Sequence, residues 1–175
     1  MALYSDEAIN QALALVKEIE SQSDRGAAII GAAWVEEELQ AAIESAMTSD
    51  KLAADRLFRK SGPLSSFSAK IDLARLLGIL STRVATDLHI IRKVRNEFAH
   101  SVLDHNSSTL SFSTSCISDR CLAMHVIKHE QLSNPRTAFV RACAILNSEF
   151  FTYKLICERT EDRLQIRAHI EDSPG

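Results

Sequence analysis

The stretch Arg95-Asn96-Glu97-Phe98-Ala99-His100 sets an arginine, an asparagine and a histidine within two helical turns of one another. Working outward from it, Val84, Leu88, Ile91, Val94, Phe98 and Val102 recur at helical spacing and predict a helix from Thr82 to about Leu103. At about 100° per residue, Asn96 and His100 share a face one turn apart, with Arg95 rotated toward the apolar side. Relative to Leu88, Arg95 falls near the middle of the apolar arc, while His89, Asn96 and His100 lie on its flank. A guanidinium set into an apolar arc must be paired, because an unpaired buried charge is very costly. Glu36 is the expected partner, since it too interrupts an apolar stripe. The helices carrying Glu36 and Arg95 are therefore expected to pack with an internal ion pair between them. That pair leaves His89, Arg92, Asn96 and His100 as the polar surface that meets a partner or ligand.

The rest of the chain reads as further helices. Ser5 is placed to cap a first helix ending near Gln22, and Asp24 a second running to about Met47 with a stripe of Ile29, Ala32, Val35, Leu39, Ile43 and Met47. Asp50 to Arg59 reads as a short helix, residues 61–66 as a loop, and Phe67 to Leu77 as a helix stopped near Gly78. Asp104 to Ser115 is polar, with a short extended piece at Leu110-Ser111-Phe112. A helix is expected to begin near Ser118 and run toward Gln131. Asn134 caps the last helix, with Pro135 at its first position and a stripe of Phe139, Ala142, Cys143, Leu146, Phe150, Tyr153 and Cys157. The reading is an all-α, compact single-domain bundle of six to eight helices over 1–159, followed by a polar C-terminal tail, 160–175.

Composition agrees. Only five Gly and three Pro occur in 175 residues, so helix breakers are scarce. A net charge of −3 argues against broad electrostatic attraction to nucleic acid. No apolar run approaches the roughly 20 residues that cross a bilayer, and the acidic start lacks a signal-peptide pattern. Cys116, Cys121, Cys143 and Cys157 read as buried thiols of a reducing compartment, so a cytoplasmic location is expected, with no membrane association.

Several patterns suggest chemistry. Cys121, His125 and His129 would align on one helix edge, but three donors spread over two turns cannot easily meet one ion, so no metal is expected. No Walker, Rossmann or Gly-x-Ser-x-Gly signature occurs, and no cofactor is expected. Residues 62–68 precede a helix start where amides could hold a small anion, with Lys70 nearby. Ala74, Gly78, Ile79 and Val84 fit helix-turn-helix spacing, which would aim Thr82, Arg83 and Thr86 at DNA bases. Against this, Asp87 occupies a position expected to be apolar. Ile30, Trp34 and Ala41 are candidates for a homodimer face.

Two resemblances add to this. The Arg95-Asn96-x-x-x-His100 pattern resembles the Arg-x4-His motif of HEPN-domain ribonucleases, which implies Arg95 and His100 as catalytic with Asn96 orienting. A wider likeness covers residues 57 to 103. Leu57-Phe58, Gly62-Pro63-Leu64-Ser65-Ser66-Phe67-Ser68-Ala69-Lys70-Ile71, Leu77-Gly78 and Ile91 through His100 together resemble the mannitol operon repressor family. Several motifs in order outweigh one six-residue match. That resemblance implies an all-helical cytoplasmic transcriptional regulator rather than an enzyme. The charge and the incomplete helix-turn-helix favour action through a protein partner. A direct DNA-binding repressor and a metal-independent ribonuclease are the alternatives.

Overall fold

The structure, a computed structural model, describes the backbone over residues 6–47, 50–59, 61–100 and 109–171, with side chains within 13–157. Among the described residues the chain forms seven α-helices and one 3-10 helix, without a strand. The helices are α1 (Asp6–Ser21), α2 (Asp24–Ser45), α3 (Lys51–Phe58), α4 (Phe67–Leu76), α5 (Thr82–His100), α6 (Ser115–Leu122) and α7 (Pro135–Glu171), with the 3-10 helix at His125–Glu130 between α6 and α7. The expected cap at Ser5, the stretch expected to continue α5 beyond His100 and residues 104–108 of the polar loop lie outside the described residues.

The central rod is α2, which packs against α1, α4, α5 and α7. Its buried residues are Ala27, Ala28, Gly31, Ala32, Val35, Leu39, Ala42 and Ile43. Small residues on the sides facing α1 and α7 let those helices approach, and at Gly31 an added Cβ would crowd the Phe139 ring at 3.1 Å. Ile29, expected in the stripe, is exposed instead. A helix enclosed on several sides loses the single-face periodicity on which the stripe was drawn. For the same reason Ile30 and Trp34, candidates for a dimer face, are half-buried against the monomer's own core.

Asp24 does not cap α2. The cap is Ser23, whose side chain accepts from the Gly26 N–H at 3.2 Å. Asp24 instead joins distant segments. Its Oδ1 accepts from Arg136 at 2.5 Å and its Oδ2 from the Phe112 amide at 3.0 Å. Arg136 also donates to the Gln22 carbonyl at 2.5 Å, tying the start of α7 to the α1–α2 corner. Around Phe112 the chain turns rather than extends: the Thr114 N–H donates to the Ser111 carbonyl at 3.1 Å. Phe112 is buried, with its ring centroid 5.1 Å from that of Phe98 and 5.2 Å from that of Phe139.

The expected helix near 118–131 is broken in two. α6 begins at Ser115, earlier than expected, and ends at Leu122; the 3-10 helix starts at His125. The agent of the break is Asp87 of α5, which has no exposed surface. Its Oδ1 accepts from the His125 amide and faces His125 Nδ1, both at 2.9 Å, and its Oδ2 accepts from the Val126 amide at 2.8 Å. Asp87 thus caps the 3-10 helix from another element, satisfying amides that open a helix and have no internal acceptor.

Candidate functional site

The site lies where α5 passes the start of α4, beside α2. Its floor is set by a tight connection. Gly62 sits where an added Cβ would overlap the Arg56 and Leu57 carbonyls, so only glycine fits. The Leu64 N–H returns to the Leu57 carbonyl at 2.9 Å, folding the loop over the end of α3. This delivers Ser66 to the N-cap of α4, where it accepts from the Ala69 N–H at 3.2 Å. At the other end of α4, Gly78 takes φ 75°, a left-handed stop that turns the chain into α5.

Glu36 projects from α2 between two cations. Lys70 Nζ of α4 is 2.9 Å from its Oε1, and Arg95 Nη2 of α5 is 3.5 Å from its Oε2. The shorter contact belongs to Lys70, which the sequence reading did not place in the ion pair. Lys70 is nearly enclosed, with 8% of its side chain exposed against 33% for Arg95. Its position in an amphipathic helix gave the signal: α4 buries Phe67, Lys70, Ile71 and Ala74 on one face. Three helices therefore meet at one carboxylate, which faces both the nearly enclosed Lys70 and the half-buried Arg95.

A cavity of about 300 Å³ opens beside this junction. Its lining comprises Glu36, Ser65, Ser66, Phe67, Ser68, Arg92, Arg95 and Asn96. Arg95 and Asn96 are thus brought together, with Arg92 one turn earlier. His100 is exposed and is not part of that lining. Half-buried His89 completes the polar flank of α5. Burial holds its imidazole below the usual range, with Arg92 and Lys93 adding to the effect and Asp72 opposing it.

The remaining sequence candidates separate. Thr82, Arg83 and Thr86 are exposed on the first turns of α5, where Thr86 Oγ1 donates to the Thr82 carbonyl at 3.0 Å. Cys121, His125 and His129 do not share an edge, because the α-helix ends at Leu122. Cys121 is buried, and burial pushes its thiol up to about 12. Among the described residues no three His, Cys, Asp or Glu side chains converge as a metal site would require. Among them, too, no helix is long and apolar enough to cross a membrane.

The profile of the mannitol repressor family matches residues 14–156, which include α2 through the 3-10 helix and every side chain of the site. The chain belongs to that family. This mannitol repressor family member also shares its fold with a solved protein, described as the X-ray structure of the MtlR-HPr complex from Escherichia coli. The TM-score is 0.64 at 15% identity, over 79% of this chain and 97% of that chain. At such identity the likeness establishes the helical architecture. A comparison with curated proteins gives no match. Within the family sequence, the Glu36–Lys70–Arg95 junction and the Asp87 cap are two separate polar anchors of α5.

Proposed function

We propose that this chain is a transcriptional regulator of the mannitol-operon type that works through a protein partner in the cytoplasm rather than by reading DNA alone. The observation that carries this reading is the family match across residues 14–156. It is supported by the shared fold with a chain crystallised with HPr. The net charge of −3 disfavours the phosphate contacts on which operator binding depends. Within α5 we assign His89, Arg92, Asn96 and His100 as the polar surface that meets the partner or a ligand, and Glu36 with Lys70 and Arg95 as the support that holds it.

The test combines two titrations. Purified protein is titrated with HPr from its own host by calorimetry, and operator DNA is challenged with the protein alone and then with the partner present. Expected are a saturable HPr complex and an operator shift that needs an added protein. A steeply salt-dependent shift by the protein alone, lost in Arg83→Gln, would replace this reading with direct DNA recognition through Thr82, Arg83 and Thr86.

The ribonuclease alternative asks more of the motif. Arg95 is held by Glu36, and the cavity that takes Arg95 and Asn96 does not include His100. We therefore read Arg95-x4-His100 as scaffold plus surface. RNA cleavage by the wild type, abolished in a folded His100→Ala variant, would reverse that assignment.

A further inference from the structure

The polar groups around the α4–α5 cavity are unequally satisfied. Arg95 has Glu36. Arg92, by contrast, pairs with no carboxylate among the described residues, and its Nε is closed off from solvent without a hydrogen-bond partner. Arg92 nonetheless lines the cavity, and with no acid paired to it its charge is open to an anion entering there. Asn96, also half-buried, turns into the same cavity. Glu36 is the sole acid of the lining and stands against two arginines there, while Lys70 neutralises it from the other side. The cavity is therefore net positive. Ser66 opens α4 at its edge, which adds the positive end of a ten-residue helix.

The geometry points to a binding site for a phosphate-type oxyanion, the head of a small hydroxyl-bearing phosphate monoester, between Arg92 and Arg95 at the start of α4. Guanidinium forks match tetrahedral oxyanions with paired N–H donors. A volume of about 300 Å³ is small among ligand pockets and admits a compact molecule. The serine hydroxyls and the Asn96 carboxamide suit a hydroxylated body better than an apolar one. Phe67, the aromatic residue of the lining, is itself buried, so no stacking surface is offered to a base.

The experiment uses the full chain in buffer free of phosphate and sulfate, without any protein partner, so that its failure leaves the regulator reading intact. Inorganic phosphate, glycerol phosphate and glycerol are titrated separately, followed by calorimetry and thermal melting. Phosphate should bind saturably and raise the melting temperature, glycerol phosphate should bind more tightly, and glycerol should do neither. Arg92→Gln should weaken phosphate binding at least about tenfold, as expected for loss of a charge-assisted fork. Arg92→Lys, which keeps charge and stem, should fall between, and exposed Lys128→Gln on the 3-10 helix should match the wild type. Circular dichroism establishes that each variant is folded; should Arg92→Gln fail there, Asn96→Ala takes its place with the same expected direction. Absence of saturable binding, or equal binding by wild type and the cavity variants, overturns the site. Binding of inorganic phosphate with rejection of glycerol phosphate overturns the ligand class.

Discussion

Two acids interrupt the apolar packing of this bundle, and their surroundings differ. Asp87 has no exposed surface and is met by two backbone amides and an imidazole at 2.8 to 2.9 Å. Glu36 keeps 21% of its side chain exposed and is met by the long side chains of Lys70 and Arg95. The short carboxylate, answered by rigid backbone donors, closes a structural joint. The longer one, answered by flexible cations, stands at the rim of a cavity. A carboxylate in an apolar stripe thus marks a helix junction in both cases, and the second also borders a cavity.

The contrast is broken most severely at Asp87. Asp87→Ala should leave the partly buried His125 and Val126 amides without their acceptor and cost about 2–3 kcal/mol in chemical denaturation. A loss under 1 kcal/mol would show that water replaces the carboxylate and that the joint is not closed.

At Glu36 the expected effect is no larger but more revealing. Glu36→Leu strands the nearly enclosed Lys70 and should cost about 2–3 kcal/mol, whereas Glu36→Leu with Lys70→Met should recover most of it. Recovery in the double variant, read from denaturant midpoints, separates an ion-pair cost from a packing cost. The same exchange at Asp87 with any partner should not recover, because its donors belong to the backbone.

His100 lies at the exposed end of the same helix. His100→Ala should change stability by no more than about 0.5 kcal/mol, while weakening partner binding if the polar flank is the docking face. A larger stability loss would move His100 from surface to scaffold.

The smallest effect is expected at Glu38, another acid of α2. Burial raises its carboxyl, with Lys154 partly opposing, and its Oε2 has no hydrogen-bond partner among the described residues. Its folded-state value lies above its unfolded one, so the folded protein holds the proton more tightly. Stability is accordingly lost as pH climbs through that window and is unaffected below the unfolded value. Glu38→Gln should be level with the wild type at acid pH and slightly more stable at neutral pH. Identical pH profiles would mean that Glu38 is solvated after all.

Much of this was legible from residues. Scarce glycine and proline, together with the stripes of α5 and α7, implied the bundle, and Glu36 with Arg95 stood out as charges in apolar positions. Lys70 was passed over, although it occupies the buried face of α4, because a lysine beside a serine-rich helix start reads naturally as a surface cation. Asp87 was legible only as a misfit to a DNA-reading pattern. Its donors are main-chain amides 38 and 39 residues away, which leave no mark in side-chain spacing.

Local periodicity and the cost of burying charge determined the helices, their apolar faces and the need for internal partners. Those follow from each residue and its neighbours within a few turns. Which cation answers Glu36, which helix Asp87 caps, and that Arg92 and Asn96 face the start of α4 across an open space were decided by the packing of helices remote in the chain. Such contacts depend on how whole faces fit together, and no single segment carries that information.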